Sequence, residues 1–247
     1  MTSQSEVIAI LPLGAHEQHG PHLPFETDTI IAGAIARRLA DAAPPEIPIE
    51  LLPVEREGYS VEHMDVEGTR SLRFDEAVNR WIGIAQACAD RGIRKLMLLN
   101  AHGGNSPLMT IVATEARIRF NMLVVATSWT RFGVPEGVIS LEDKAFDIHA
   151  GEIETSVMLA LRPDLVFSEK VQDFRSRQAE FVQRFKHLRA YGQHAFGWKM
   201  ADLNPDGAAG NASRATAETG QALLSHAVGG LCELLQDMSR FDPGELR

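Results

Sequence analysis

Cysteine is nearly absent: Cys88 and Cys232 stand far apart in a chain of 247 residues, and neither belongs to a CxxC pair. Two cysteines do not staple a chain this long, so both read as reduced core thiols of a cytosolic protein. Positive charge is also short, 24 Lys and Arg against 33 Asp and Glu, a formal net charge of −9. A protein that lives on phosphate backbones shows a basic stripe instead, so nucleic acid is not expected as a partner. No apolar run approaches the roughly 18 residues that cross a bilayer, and no membrane partner is expected. The opening from Met1 to Glu6 has neither the basic nor the apolar region of a secretory leader. The Gly-rich turn at Gly103-Gly104 lacks the Lys-Ser/Thr of a phosphate-binding loop and is no dinucleotide fingerprint. Neither Ser106 nor Ser156 sits in a nucleophile elbow.

What the chain does have is an ordinary globular composition, 45% hydrophobic and 23% charged. A chain of this length buries roughly 70–75% of its unfolded surface, and one domain over residues 1–247 is expected. Val7–Leu13, Ile49–Val54, Lys95–Asn100 and Leu123–Ser128 are short, β-rich apolar runs and read as buried strands. Asp28–Ala43, Phe74–Arg91, Pro107–Phe120, Glu152–Leu161 and Thr216–Gln236 carry helical periodicity. The alternation predicts an α/β protein with a mostly parallel central sheet and helices on both faces. Function in such sheets gathers in the loops just past the strand C-termini.

Three of those regions are dense in metal-ligand side chains. The first runs from Gly14 through His16, Glu17, His19 and His22 to Pro24, with Asp28 following; the second is Asn100–Asn105, around His102; the third is His149–Ser156. Glu17 and His19 are two apart on extended chain and face one volume. Asp28 opens a helix, where it can cap or can bridge two cations. Gly103-Gly104 permits a tight turn or close approach of a ligand. His149 and Glu154 are five apart across a loop-to-helix junction. Imidazole with carboxylate and no thiolate favours zinc, manganese or iron. His16 and His22 are either outer partners or plain loop residues. Glu152 either orients His149 or has no role, while His187, His194 and His226 read as surface. Trp81, Trp129 and Trp198 are candidates for core or for a subunit interface.

The three segments together resemble the creatininase (creatinine amidohydrolase) family. Gly-x-x-Glu-Gln-His-Gly-Pro-His-Leu-Pro followed by Thr-Asp stands complete as Gly14–Pro24 with Thr27-Asp28. Asn-Gly-His-Gly-Gly-Asn appears with Ala101 in place of its first Gly, and His-Ala-Gly-x-x-Glu-Thr-Ser is His149–Ser156. A fainter echo is Gly58-Tyr59-Ser60-x-x-His63 with Gly68-Thr69, and the likeness spans Leu11 to Gly220. The resemblance implies a three-layer α/β/α hydrolase, often a hexamer, with two divalent ions (Zn, Mn or Fe) per subunit. It implies Asp28 bridging them, Glu17 and His102 completing one shell, His19 binding the other ion and Glu154 as a further ligand. Creatininase proper has a ligating Glu where this chain has Gly104, so here Glu154 or water takes that place, or only one ion binds tightly.

The expected reaction is hydrolysis of a C–N amide bond in a small molecule, a cyclic amide or a formamide, by metal-activated water. His149 would carry the proton, Glu154 is a ligand or a base, and His63, Gly103 and Gly104 would meet substrate. Peptide trimming on the same fold and a non-catalytic metal-binding or ligand-binding module are the alternatives. Phosphoester cleavage, for which Arg70 and Arg73 are the nearest cations, is a third.

Overall fold

The computed structural model describes residues 6–245; the polar opening at 1–5, where the absence of a leader was expected, lies outside the described residues. Four parallel strands, β1 (Ile8–Leu13), β2 (Ile49–Leu51), β3 (Lys95–Asn100) and β4 (Leu123–Ser128), form one sheet in the order β2-β1-β3-β4. Ile8 lies opposite Ile49 on one side and Lys95 on the other, and Lys95 opposite Leu123. The central strands β1 and β3 are buried at every position, as their unbroken apolar runs require.

Strand alternation divides these runs between two cores. Ile8, Ile10, Met97 and Leu99 face a layer built by α1 (Thr27–Ala42), α5 (Glu152–Leu161) and α8 (Ala217–Arg240). Ala9, Leu11, Leu13, Leu96 and Leu98 face α2 (Phe74–Asp90) and α3 (Ser106–Phe120). The result is the expected three-layer α/β/α arrangement. Strand β2 is shorter than its apolar run, and proline is the reason. Leu52 N–H donates to the Ile10 carbonyl and Glu55 N–H to that of Pro12, each at 2.9 Å. Neither Pro12 nor Pro53 has an N–H to continue the ladder. The regular ladder therefore stops after Leu51, and the chain meets β1 again at Glu55, which bridges Leu13 and whose carbonyl accepts from Gly14 N–H at 2.9 Å.

The stretch after α5 was not legible as structure. It holds α4 (Leu141–Phe146) just upstream, then β5 (Asp173–Phe174) antiparallel to β6 (Gly210–Asn211), with α6 (Gln178–Arg184) and α7 (Met200–Leu203) between them. A small core of Ala190, Met200, Leu203 and Ala209, flanked by Phe181, Phe196 and Trp198, holds it. Trp81 and Trp129 are core residues, and Trp198 is half-buried with its indole N–H on the Ala190 carbonyl at 2.7 Å. Helices α5 and α8 pack backbone to side-chainless position: a Cβ on Gly220 would stand 1.9 Å from the Ser156 carbonyl oxygen. Thr216 caps α8 by accepting from Thr219 N–H at 3.1 Å. Cys88 and Cys232 are both free. Among the described residues, no helix is long and apolar enough to cross a membrane.

Candidate metal centre

Strands β1 and β3 are neighbours in register, so the loops leaving Leu13 and Asn100 emerge side by side. Asn105 sews them to a third loop. Its side-chain amide donates to the Gly14 carbonyl and to Asn100 Oδ1, each at 3.1 Å, and its Oδ1 accepts from Tyr59 N–H at 2.9 Å. Helix α1 begins at Thr27 without a side-chain cap, so Asp28 lies inside the first turn and caps nothing. Its carboxylate turns into the volume between the loops instead.

There Glu17, His19, Asp28, His63, His102 and His149 are all buried. His102 Nδ1 is 3.1 Å from Glu17 Oε1 and 3.5 Å from Asp28 Oδ2. His19 Nε2 is 3.4 Å from Asp28 Oδ1. His63 Nε2 and His149 Nδ1 approach Glu17 Oε1 to 3.4 and 3.7 Å. Three imidazoles have their outer nitrogen tied to a backbone carbonyl: His102 Nε2 to Tyr59 at 2.8 Å, His19 Nδ1 to Glu17 at 3.0 Å, and His149 Nε2 to Gln18 at 2.7 Å. A carbonyl only accepts, so those nitrogens carry the hydrogen. In a neutral ring the inner nitrogen is then left with a lone pair aimed at a carboxylate, an arrangement that calls for a cation between them, either the ring's own second proton or a metal ion that displaces it.

Glu17 Oε1 and Oε2, Asp28 Oδ2 and His19 Nε2 have no hydrogen-bond partner despite full burial. Such orphaned groups are costly unless they ligate an ion. Donor atoms of Glu17, Asp28 and His102 lie within 4.8 Å of one another, as do those of His19, Asp28 and Glu154, and those of Glu17, His19 and His149. Asp28 belongs to the first two sets. Glu154 reaches the site because Ala150, held at φ 52°, turns its N–H onto Glu154 Oε2 at 2.6 Å. These donors fit hard or borderline divalent ions of the zinc, manganese and iron kind.

The electrostatics follow from burial against charge. Burial would raise Glu17, but the rings of His102, His63 and His149 hold it well below the usual carboxylate range. Burial would lower His19, yet Asp28 beside it, with Glu154 and Glu17, raises it to about 9. His102 likewise resists burial and rises because of Glu17, Asp28 and Glu62. Burial pushes Glu154 up to about 7, against the pull of His19. His149 is held well below its ordinary value by burial and by His19 and His63, whose rings stand 4.3 and 4.4 Å away.

The other sequence candidates fall as follows. Gly103 has open space where a side chain would point, while Gly104 is crowded by Tyr59 O, His102 Nε2 and Glu62 Oε1. Glu152 faces Arg214 Nε at 3.3 Å and does not touch His149. His22 donates or accepts at Thr155 Oγ1 (2.9 Å) and stacks on Phe174, an outer partner of the third loop. His16 stacks on Phe25 at the rim. His187, His194 and His226 are exposed. Arg70 pairs with Glu57 and Arg73 with Asp75 on the surface, so neither serves as a phosphoryl clamp in the site. Sequence reasoning missed the roles of Asn105 and Glu62. Asn105 was visible as the last residue of the second motif, whereas Glu62 had no signal beyond its place beside His63.

Buried carboxylates and preset imidazoles at the ends of parallel strands define a metal-dependent hydrolase. The creatinine amidohydrolase family model matches residues 2–235. The chain is 30% identical over 247 residues to the mycofactocin precursor peptide peptidase of Mycobacterium ulcerans, covering 95% of this chain and 86% of that one. It is 31% identical over 184 residues to the creatinine amidohydrolase of Pseudomonas putida, covering 68% and 69%. A solved structure of creatininase with Mn superposes with a TM-score of 0.79 at 25% identity, over 96% of this chain and 92% of that one. The chain belongs to the creatininase family.

Proposed function

We propose that this protein hydrolyses a C–N amide bond of a small molecule, a cyclic amide or a formamide, at a pair of divalent ions. The observation that carries the reading is the set of buried lone pairs: Glu17, Asp28 and His102 on one side and His19, Asp28 and Glu154 on the other, with Asp28 shared. Glu17 and His102 would hold one ion, His19 and Glu154 the second, and Asp28 both. When bound, the ions supply an activated water and polarise the substrate carbonyl.

The chain's own residues do the rest. His149, neutral and fixed through Nε2 on the Gln18 carbonyl, presents the Nδ1 lone pair to the site, where it would take a proton from the attacking water and pass that proton to the departing nitrogen. Glu17 keeps its charge under the influence of three imidazoles, so it remains a ligand at neutral pH. His63, buried with Nδ1 unpartnered, can donate to or accept from the substrate. Gly103, with open space where a side chain would point, puts no side chain between the second loop and a substrate. The likeness to the mycofactocin precursor peptide peptidase favours a second reading, trimming of a peptide, in which the amide bond belongs to a chain rather than a ring. A homo-oligomer, up to a hexamer, and a cytoplasmic location complete the proposal. Exposed Phe74 on α2 and Ile118 on α3 are apolar surface consistent with subunit contact. The decisive experiment is elemental analysis of the purified protein followed by a screen of lactams, formamides and short peptides. Turnover that survives complete removal of the ions would defeat the proposal, and the product amine would separate ring, formyl and peptide substrates.

A further inference from the structure

A Cβ on Gly104 would meet the Tyr59 carbonyl first, then the His102 ring, and Glu62 third. The 3-10 turn Val61–His63 carries Glu62 across the second loop, and its Oε1 would lie 2.7 Å from a Cβ on Gly104. The same Oε1 is 3.7 Å from His102 Nε2, on the edge of the ring that faces away from Glu17 and Asp28. Glu62 is largely buried, its side chain 16% exposed, and among the described residues the His102 ring is the cationic partner within 4 Å. It is too far to take the ring hydrogen, which goes to the Tyr59 carbonyl at 2.8 Å, with Ser60 Oγ at 3.3 Å. What it adds is a negative charge on the outer edge of the imidazole.

We propose that Glu62 is a positioning residue for the ion held by Glu17, Asp28 and His102: its carboxylate, 3.7 Å from the outer nitrogen of a ring that the Tyr59 carbonyl already fixes, raises the donor strength of Nδ1 by its charge. A negative charge behind a ligating imidazole makes it a better donor; loss of a hydrogen-bonded partner typically weakens metal binding about 10–100-fold, and Glu62, acting by charge alone, belongs at the lower end of that range. The inference rests on the proposed ligand role of His102.

The test is Zn²⁺ competition against a chromophoric chelator with the full-length protein. In Glu62→Gln, which keeps shape and removes charge, one of two affinities should fall about 10-fold, with the other within about 2-fold of wild type. Substituted Co²⁺ should show shifted visible bands for one ion. Glu62→Asp, which keeps the charge, should lie between Gln and wild type and serves also if Gln folds poorly. Unchanged Zn²⁺ affinities and Co²⁺ bands in Glu62→Gln would overturn the inference and leave the proposed function intact. Loss of affinity in Glu62→Ala but not in Glu62→Gln would also overturn it, by showing packing rather than charge. A wild-type chain that binds no Zn²⁺ would overturn both.

Discussion

Asp28 is the carboxylate on which both halves of the centre depend, and replacing it by Asn is the sharpest perturbation available. Asn preserves volume but cannot offer two anionic oxygens. Asp28 Oδ2 faces His102 Nδ1 at 3.5 Å and Oδ1 faces His19 Nε2 at 3.4 Å, so each oxygen serves a different donor set. An ion that binds only the folded protein stabilises it by about 2.7 kcal/mol at a free concentration of 100 Kd. Two such ions give about 5 kcal/mol. For a chain of this size one kcal/mol moves Tm by about 2–4 °C, so loading should raise Tm by about 10–20 °C. In Asp28→Asn that gain should fall to within about 3 °C of zero, because neither donor set stays complete. The assay is thermal unfolding with and without Zn²⁺ or Mn²⁺, each variant compared with its own metal-free form. That comparison cancels any cost of losing the His19–Asp28 pair itself. A variant that keeps more than half of the wild-type gain would refute the shared role of Asp28.

Metal uptake should release protons and tighten as pH rises. Glu154, held up to about 7 by burial, must lose its proton to ligate, and His19, raised to about 9 by Asp28, must lose one as well. Titration calorimetry in buffers of different ionisation enthalpy should count more protons released below pH 7 than between 7 and 9; a pH-independent affinity would refute this. His149→Ala should lower turnover by about 10²–10⁴-fold while bound metal stays at the wild-type level, which mass spectrometry of the intact complex reads. Unchanged turnover would remove the proton-carrying role. Gly220→Ala should destabilise the protein by about 1–3 kcal/mol, since the added methyl meets the Ser156 carbonyl backbone, and urea unfolding measures it.

How much of this was legible in the sequence depended on how local the cause was. The runs Lys95–Asn100 and Leu123–Ser128 predict β3 and β4 to the residue, since β3 is buried throughout and β4, though partly exposed, still keeps a short β-rich apolar run. The periodicity of Glu152–Leu161 predicts α5 as closely. Glu17, His19, Asp28, His102, His149 and Glu154 were each legible as candidates, because imidazole and carboxylate in glycine-flanked loops have few other uses at strand ends. The two-stranded β5–β6 sheet was not: each strand is two residues long, too short to leave a period. Nor was the end of β2 at Leu51, where an absent N–H on Pro12, a residue of another strand, sets the limit.

The sequence by itself determined the layer order, the two-faced sheet and the kind of donors available, because these follow from local pattern and residue chemistry. The tertiary structure alone decided which donors share an ion, through the adjacent β1 and β3 ends and the Asn105 bridge to Tyr59. It alone decided that Asp28 turns inward rather than capping α1, and that Glu62 stands behind the His102 ring. Those are matters of distance between segments remote along the chain, and only folding sets such distances.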